Sequence, residues 1–413
     1  MAKRTIQGVP VRGRRVIVRV DYNVPLTDAG EVADDRRIVE SLPTLKYLRE
    51  EGARLILLSH LGRPRGPDPS LSLRPVRDRL SEVLGLEVSL SSDVAGPDSR
   101  RRAEGLRDGE VLLLENLRFH PGEEANDPAF AGQLADLGEL FVEEAFGTVH
   151  RAHSSTVGVA RLLPTYAGFL VEREVRALSR LLAGFERPFV ALLGGAKVAD
   201  KLPLLEGLGP RTDGLLLGGA IALPFLDAKG HGGGDRRKSS PLDELARRFL
   251  DRSKAWSGRI LLPVDVVVEE RSSGRTEVRT PEQVGPEETI YDIGPQTRAL
   301  FLDALREART VFWNGPLGKA EDPRYSAGTR EVLKGLSGVR GWRVSAGGDS
   351  ARLAQDLGVL DSFDYVSTGG GAALEFVEGR RLPGLEVIPD ADGEGDASRD
   401  ESGSRSSPSD SRT

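Results

Sequence analysis

Residues 192–201 read LLGGAKVADK and combine several features that phosphate chemistry needs. An apolar run ends in Gly194 and Gly195, and a helical pattern then carries Lys197 and Lys201, four residues apart. On a helix this spacing places both ammonium groups on one face, near an N-terminus whose free N–H groups attract anions. A strand, a glycine turn and an ordinary solvated helix would give the same pattern, and the stretch does not match the GxxxxGK[ST] phosphate loop.

Apolar runs in the first half of the chain end in residues suited to binding an acid. The runs cover residues 16–20, 54–59, 111–115 and 140–143. They are followed by side chains that can bind phosphate, carboxylate or hydroxyl groups, namely Asp21 and Asn23, His60 and Arg63, Arg118, and Arg151. Ligands of parallel sheets bind where the strands end, so these side chains suit a small hydroxy acid that carries a phosphate. His150 and His153 could contribute to a metal site, but no third ligand has suitable spacing.

Apolar runs in the second half are followed by glycine turns instead of arginine. The runs that can form strands cover residues 189–193, 214–217, 260–268, 289–292, 310–313, 342–345 and 365–367. The turns contain Gly218 and Gly219, Gly294, Asn314 and Pro316, Gly347 and Gly348, and Gly370 with its neighbours. Glycine lets backbone N–H groups approach a phosphate closely, and a helix start adds its dipole. A set of such turns around one sheet therefore predicts a nucleotide polyphosphate.

Acidic residues stand beside these turns. Asp349 is suited to Mg²⁺, which usually binds through one or two carboxylates plus substrate phosphates; capping the following helix is its alternative role. Glu321 could accept hydrogen bonds from ribose hydroxyls, and a solvated surface acid fits its position equally well. No GxGxxG fingerprint follows any of the runs, so a dinucleotide dehydrogenase has little support.

The composition is that of a soluble globular protein. The chain has 413 residues, 38% of them hydrophobic, and a net charge of -6, without the basic block typical of nucleic-acid binding. Cysteine is absent, which excludes disulfides and thiolate metal sites. The basic N-terminus lacks the apolar segment of a secretory signal, and no apolar run approaches the length of a membrane span. We therefore expect a cytoplasmic protein without nucleic-acid or membrane partners.

Short apolar runs alternate with helical periods along the chain, which is typical of parallel sheets covered by helices. We expect an α/β protein with two doubly wound, Rossmann-like parallel-sheet domains joined by a hinge helix over residues 167–182. The N-terminal domain would cover residues 1–166, and the hinge helix with the C-terminal domain 167–388. Residues 229–240 indicate a flexible surface loop, and the polar residues 389–413 a disordered tail.

Eight motifs follow one another along the chain: RVDYNVPL, LLSHLGRP, LLLENLRFHPGEE, AFGTVHRAHSS, LLGGAKVADK, FWNGPLG, GGDS and VSTGGGAALEFVEG. Together they resemble the phosphoglycerate kinase family, over residues 16–387. The resemblance implies a monomeric, hinge-bending glycolytic kinase. It would transfer a phosphoryl group directly and reversibly between 1,3-bisphosphoglycerate and MgADP, giving 3-phosphoglycerate and MgATP. In the family the C-terminal segment packs back on the first domain, which residues 382–388 could do here.

The resemblance also implies roles for particular residues. The phosphoglycerate would be held by Asp21, Asn23, Arg37, His60, Arg63, Arg118 and Arg151, of which Arg37 enters only through the family's segment DDRRIVESLPT. The transferred phosphoryl group would meet the catalytic residues Arg37, Lys197, Lys201, Gly348 and Gly370. The nucleotide would contact Lys201, Gly218, Gly219, Gly294, Asn314, Pro316, Glu321, Gly347, Gly348, Asp349 and Ser350. The cofactor Mg²⁺ would bind Asp349 and the nucleotide phosphates.

Several positions depart from the family's usual residues. They are Glu143 and Glu144 for Asn-Asp, Ala220 for a third glycine, Ala373 for Ser, and Lys319 and Ala320 for Val-Phe. None of these changes touches the arginine and lysine set, so the chemistry is expected to be intact. The changes at Lys319 and Ala320 leave the nucleotide preference open. A non-catalytic paralogue that binds nucleotide or phosphoglycerate as a sensor is the alternative function.

Overall fold

Two six-stranded parallel sheets organise the chain, and a computed structural model describes residues 2–231 and 241–391 of it. The strands of the first sheet are β1 (Arg15–Arg19), β2 (Arg54–Leu58), β3 (Val88–Leu90), β4 (Val111–Leu113), β5 (Leu140–Glu143) and β6 (Thr165–Ala167). Its helices are α1 (Arg36–Glu50), α2 (Arg74–Leu84), α3 (Pro97–Gly105), α4 (Gly122–Ala125) and α5 (Pro128–Ala135). The strand order is β3-β4-β2-β1-β5-β6, and every neighbouring pair is parallel. We call this part of the chain the first lobe.

The hinge helix α6 (Phe169–Leu182) leads to the second lobe. The strands there are β7 (Phe189–Leu193), β8 (Gly214–Leu217), β9 (Arg259–Leu261), β10 (Val266–Glu270), β11 (Thr276–Arg279), β12 (Glu288–Ile293), β13 (Thr310–Asn314), β14 (Trp342–Ser345) and β15 (Tyr365–Val366). The helices are α7 (Val198–Leu208), α8 (Leu223–Ala228), α9 (Pro241–Ser253), α10 (Pro295–Arg306), α11 (Ala327–Gly335), α12 (Gly348–Asp356), α13 (Gly370–Val377) and α14 (Pro383–Glu386). The parallel order is β15-β14-β13-β7-β8-β9.

Helices cover both faces of each parallel sheet, so the strands are apolar on both sides. In β1, Val16 and Val18 pack into one hydrophobic cluster of the first lobe, and Ile17 packs into another. In β7, Val190 and Ala191 likewise pack into two different hydrophobic clusters, one on each face of the sheet. Polar side chains are thereby confined to the strand ends, where ligands of such sheets bind. Within the two described ranges, no helix is both long enough and apolar enough to cross a membrane.

The apolar run 260–268 is two strands rather than the single strand that its composition predicts. Pro263 has no N–H to donate to a ladder, and Asp265 turns to the start of α10, so the run breaks there. β9 joins the second parallel sheet, whereas β10 pairs antiparallel with β11 and β12 in a separate three-stranded sheet. The predicted strand 289–292 belongs to this antiparallel sheet as well. The hinge helix begins at Phe169 instead of 167, because Ala167 completes β6.

The hinge helix α6 is held by side chains from both lobes. Glu144, buried directly after β5, accepts hydrogen bonds from the Thr44 hydroxyl at 2.7 Å and from the Leu170 N–H at 3.2 Å. Glu174, buried in the middle of α6, accepts the N–H and the hydroxyl of Thr368 at 2.8 and 2.9 Å. One helix therefore connects the end of β5 with the residue before the glycines that start α13.

The last described residues return to the first lobe. The Gly384 N–H donates to the carbonyl oxygen of Val149 at 2.8 Å, and the Lys3 ammonium donates to that of Ile388 at 3.0 Å. Residues 389–391, predicted to begin the disordered tail, belong to the folded chain, because their backbone pairs with the N-terminal residues. Residues 392–413 of the predicted tail and 232–240 of the predicted loop lie outside the described residues. The domain limits at 166 and 388 stay a prediction.

Replacing Glu144 with Gln should make stability less dependent on pH. Burial raises the pKa of the Glu144 carboxyl to about 8, above its unfolded value of roughly 4.3. Between these values the folded protein holds a proton that the unfolded chain has released. Glu144 therefore makes the wild-type free energy of unfolding fall as pH rises, by up to about 1.4 kcal/mol per pH unit. The contribution is fully present below about pH 4 and is lost by about pH 8.

Urea unfolding of wild type and Glu144→Gln at about pH 5.5 and about pH 8 measures this difference. Glu186→Gln, at an exposed glutamate, is the matched control and should keep the wild-type pH slope. An identical slope in wild type and Glu144→Gln would contradict the prediction.

Candidate active site

Asp21, Asn23 and Arg37 form one cluster at the carboxyl end of β1. Nη1 of Arg37, in the first turn of α1, donates to Oδ2 of Asp21 at 2.8 Å and to the carbonyl oxygen of Asn23 at 3.2 Å. Oδ1 of Asn23 accepts the Gly62 N–H at 2.9 Å, which ties the cluster to the loop after β2. The side chains of Asp21 and Arg37 remain 11% and 32% exposed, so both can still reach a ligand.

His60 lies against Arg19, a buried residue that the sequence analysis does not single out. Nη2 of Arg19 is 3.1 Å from Nδ1 of His60, and Arg19 is 1% exposed. A guanidinium only donates, so Nδ1 accepts and the ring proton is on Nε2. Burial lowers the pKa of His60 well below its usual value, and the charges of Arg19, Arg118, Arg37 and Arg151 lower it further. His60 is therefore a neutral N–H donor at the centre of the cationic cluster.

Buried acids accompany Arg19. Nε of Arg19 donates to the Ser155 hydroxyl at 2.8 Å, and that hydroxyl donates to Oε1 of Glu123 at 2.6 Å. Glu143 is fully buried at the end of β5. Burial raises the pKa of Glu143 to about 8 and that of Glu123, whereas the charge on Arg19 opposes both shifts. Glu143 is one of the positions that depart from the family's usual residues, and it lies close enough to Arg19 for their charges to interact.

Arg118 is a buried cation with an unused donor. Its side chain is 5% exposed, Nη1 donates to the Gly62 carbonyl oxygen at 2.5 Å, and Nη2 lies 2.9 Å from Oε1 of Glu124. Burial lowers the pKa of Arg118. Its Nε is buried without a hydrogen-bond partner among the described residues. A buried donor without an acceptor is costly, so this position suits an anionic ligand oxygen.

Arg151 and Arg63 occupy different positions relative to this cluster. Nε of Arg151 lies 3.1 Å from Nε2 of His150, and its charge acts on His60. Arg63 is exposed, and no described residue forms an ion pair with it. The fold therefore brings six of the seven predicted acid-binding residues together and leaves Arg63 on the surface.

The N–H groups of four predicted phosphate-binding glycines are already used inside the second lobe. Gly194, Gly195, Gly218 and Gly219 donate to the carbonyl oxygens of Asn314, Pro316, Leu193 and Leu317 at 2.7–2.9 Å. A Cβ on Gly194 would lie 2.0 Å from the carbonyl oxygen of Pro316, so glycine is needed for close packing of these turns. Gly218 and Gly219 thus allow the close packing of these turns, and their N–H groups are not free to bind a phosphate.

The starts of α12 and α13 provide free N–H groups. The first N–H groups of a helix have no carbonyl partner inside it and attract anions. Gly347, with φ of 102°, caps α12, and Gly370 begins α13. Asp349 is exposed in the first turn of α12 and does not cap it, so its alternative role is not used. Gly348 is exposed and Gly370 is half-buried, and their N–H groups, at the two helix starts, are the ones that a phosphate could reach.

Asn314 and Ser350 are buried, and their side chains are engaged within the protein. The Ser350 hydroxyl accepts the Gly315 N–H at 2.9 Å and lies 3.2 Å from Nδ2 of Asn314. The same Nδ2 donates to the Ala346 carbonyl oxygen at 2.6 Å. Oδ1 of Asn314 accepts a hydrogen bond from the Lys201 ammonium. These predicted nucleotide ligands therefore tie the turn after β13 to the turn before α12.

Lys197 and Lys201 do not share a helical face, contrary to the prediction from their spacing. Helix α7 begins at Val198, and Lys197 precedes it in an extended conformation, with φ of -98° and ψ of 91°. The helix starts late because Gly195 is held by backbone hydrogen bonds to neighbouring turns. Burial lowers the pKa of Lys201, and the charge of Asp349 opposes this shift. Lys197 is exposed and has no partner in the described structure.

A cavity of about 250 Å³ lies beside these turns. Of the predicted nucleotide ligands it is lined by Gly219, Pro316 and Glu321. Gly294 does not line it. Instead Gly294 precedes α10, where the Asp265 carboxylate accepts two backbone N–H groups at 3.0 and 2.7 Å, so this helix start already has an anion.

The two groups of residues meet at Gly147. A Cβ on Gly147 would lie 2.4 Å from Oδ2 of Asp21 and 3.8 Å from the carbonyl oxygen of Gly369. Gly369 in turn packs on Phe146, because a Cβ there would lie 2.4 Å from the Phe146 ring. The cationic cluster of the first lobe and the start of α13 in the second lobe are thus neighbours.

Comparison with known proteins identifies the family. The family described as "Phosphoglycerate kinase" matches residues 6–380. The chain belongs to the phosphoglycerate kinase family. A phosphoglycerate kinase of Thermus thermophilus is 52% identical over 388 residues, which are 93% of this chain and 99% of that protein. One from Pelotomaculum thermopropionicum is 46% identical over 393 residues, 94% of this chain and 100% of that protein.

Solved phosphoglycerate kinase structures have the same fold. The structure from Coxiella burnetii is similar with a TM-score of 0.85 and 36% identity, and that from Pyrococcus horikoshii with 0.80 and 33%. Each comparison covers 93% of this chain and 98% of the other. The two-domain α/β fold and the family resemblance expected from the sequence are confirmed. Because the relatives match over nearly their whole length and are kinases, the chain is an enzyme, and a non-catalytic paralogue is not favoured.

We expect His60 to stay neutral, with its proton on Nε2, at about pH 6.5, where an ordinary imidazole is half protonated, because burial and four arginines disfavour the imidazolium. Long-range ¹H–¹⁵N NMR on ¹⁵N-histidine-labelled protein reports the tautomer of each of the 5 histidines. His60→Gln assigns the signal and serves as the control. An imidazolium pattern for His60 at about pH 6, or a proton on Nδ1, would contradict the Arg19 contact.

Proposed function

We propose that this chain transfers a phosphoryl group directly between 1,3-bisphosphoglycerate and MgADP, giving 3-phosphoglycerate and MgATP, when the two lobes close. The observation that carries the proposal is the meeting at Gly147 of a cationic cluster and a helix start from different lobes. Each lobe supplies the binding chemistry for one substrate only. Transfer therefore requires the lobes to come together around both substrates.

The acid would bind in the first lobe. Asp21 and Asn23 suit its hydroxyl, and Arg63, Arg118 and Arg151 suit its phosphate or carboxylate. The buried, unpartnered Nε of Arg118 supports this assignment, since an anionic oxygen would satisfy it. The neutral His60 would donate its Nε2–H to the same ligand without adding charge.

The nucleotide would bind in the second lobe. Its base would occupy the cavity lined by Gly219, Pro316 and Glu321, with Glu321 accepting from the ribose hydroxyls. Its phosphates would lie at the starts of α12 and α13, where the helix N–H groups are free. Lys201 would add a charge there, next to Asp349.

Phosphoryl transfer passes through a loose, negatively charged transition state, so positioning and cationic stabilisation account for most of the catalysis. The acceptor is a phosphate oxygen of ADP or, in reverse, a carboxylate, and neither requires a general base. We assign the stabilisation of this negative charge to residues of both lobes. Arg37 would act from the first lobe. From the second lobe, the stabilising groups would be Lys197, Lys201, and the N–H groups of Gly348 and Gly370. Lys197 has no partner in the described structure, which leaves it available to the transferred group.

Magnesium fits the donors near Asp349. Its carboxylate is exposed at the start of α12, where the nucleotide phosphates would lie. Within residues 2–231 and 241–391, no three His, Asp or Glu side chains gather as a metal site of their own. This agrees with an ion held by Asp349 together with phosphate oxygens, the usual manner for Mg²⁺. When bound, Mg²⁺ would neutralise charge on the phosphates.

A coupled assay of ATP formation tests the proposed reaction. Wild type should form ATP only when ADP, Mg²⁺ and 1,3-bisphosphoglycerate are all present. Arg37→Ala and Lys197→Ala should each lower turnover by about 100-fold, as expected for loss of a transition-state donor. Arg176→Ala, at an arginine of α6 whose side chain is 73% exposed, is the control and should retain turnover. Wild type without turnover would support the sensor, and unchanged turnover in both variants would refute the two residue roles.

Asp349→Asn should raise the Mg²⁺ concentration needed for half-maximal turnover by about tenfold, because one anionic ligand is lost. The 3-phosphoglycerate KM should change little, since that ligand would bind in the other lobe. Asp356→Asn is a matched control at the end of the same helix, where the aspartate side chain is 63% exposed. Equal Mg²⁺ dependence in wild type and Asp349→Asn would exclude Asp349 as the metal ligand.

A further inference from the structure

Lys319 is held at the wall of the 250 Å³ cavity. It is the cationic side chain among the described residues that line this cavity. Its backbone N–H donates to the Tyr291 carbonyl oxygen at 2.8 Å, and its ammonium lies 5.5 Å from the centre of the Tyr291 ring. That ring is itself stacked on Tyr325, with centroids 4.6 Å apart. The ammonium thus lies near the ring of Tyr291, another residue that lines the cavity.

The hydrogen-bond acceptors of the same wall are mostly engaged within the protein. Asp292, which is 2% exposed, accepts two backbone N–H groups at 2.9 and 2.7 Å. The carbonyl oxygens of Gly195 and Pro316 each accept a backbone N–H, at 3.1 and 2.8 Å. Glu321 is the remaining acid, and the proposed function assigns it to the ribose. The wall thus offers a base one strong donor, whereas Asp292 and the carbonyl oxygens of Gly195 and Pro316 each already accept a hydrogen bond within the protein.

Purines differ in what they present to such a wall. On the edge beside N7, guanine and hypoxanthine carry the O6 acceptor, whereas adenine carries an amino donor. A lysine ammonium has three donors and no acceptor. It can therefore bind O6 and N7 of guanine together, but it meets another donor when it faces the amino group of adenine.

We propose that Lys319 shifts the base preference of this cavity toward purines that carry O6, so that GDP and inosine diphosphate serve at least as well as ADP. The inference rests on the proposed function, since it places the base of the phosphoryl acceptor in this cavity. It makes Lys319 a specificity-determining residue of the kinase reaction, separate from the residues that handle the phosphates.

The test compares three diphosphates that differ only in the base. Formation of the nucleoside triphosphate is measured for wild type and Lys319→Met at saturating 1,3-bisphosphoglycerate. The phosphoryl acceptor is MgADP, MgGDP or the magnesium salt of inosine diphosphate. Methionine keeps the length of the side chain and removes its donors. Lys334→Met, at an exposed lysine near the end of α11, is the matched control for loss of one charge.

In wild type, kcat/KM for GDP and inosine diphosphate should equal or exceed that for ADP. In Lys319→Met the ratio of either value to that for ADP should fall by about tenfold, the discrimination expected of one base-edge contact. Lys334→Met should keep the wild-type ratios. The KM for 1,3-bisphosphoglycerate should be the same in all three proteins, because that ligand is bound by the first lobe.

A wild type that prefers ADP, or a ratio that is unchanged in Lys319→Met, would overturn the inference and leave the proposed function standing. No turnover with any of the three diphosphates would overturn the proposed function instead. In that case calorimetric Kd values of the same diphosphates decide the inference, because a base preference also appears in binding.

Discussion

The active site of this protein depends on a single helix that both lobes hold through buried carboxylates. Glu144 accepts hydrogen bonds from the Thr44 hydroxyl and from the Leu170 N–H at the start of α6. Glu174 accepts the N–H of Thr368, which directly precedes the glycines of α13. The cationic cluster and the start of α13 meet at Gly147, and α6 is attached to both neighbourhoods. A buried carboxyl group is costly unless its hydrogen bonds are made, so these contacts fix β5, α6 and α13 relative to one another. At Glu144, where the family usually has Asp, the longer side chain accepts the Leu170 N–H.

Charge in the first lobe is arranged around a neutral histidine. Four arginines surround His60, and their mutual repulsion would be severe in a dry site. Burying Arg19 at the Nδ1 edge of the ring, with Glu123 and Glu143 nearby, fixes the tautomer of His60 and adds no exposed charge. The site therefore gathers donors for an acid while one of them, the Nε2–H of His60, remains uncharged. Arg118 retains an unsatisfied donor, which is tolerable where a ligand supplies the acceptor.

The second lobe divides its glycine turns between two tasks. The turns at Gly194 and Gly218 pack backbone against backbone and form one wall of the cavity, with their N–H groups consumed. The turns before α12 and α13 leave theirs free, because a helix start has no internal partners for them. The cavity wall and the free N–H groups thus come from different strands of one sheet. Among the described residues that line the cavity, Lys319 is the cationic one.

The sequence by itself determined the alternating α/β pattern, the family and the residues gathered at the strand ends, because apolar runs and their polar ends are local features of the chain. Only the tertiary structure decided which groups are free. Ser350 and Asn314 look like ligands in sequence, yet their hydrogen bonds are used inside the fold. Arg19 could have been noticed as a charge in an apolar strand, but its contact with His60 joins residues 41 apart. The break of the run 260–268 between two sheets likewise depends on what Asp265 meets at α10. Hydrogen-bond partners and burial are properties of distant neighbours, which no short stretch of sequence contains.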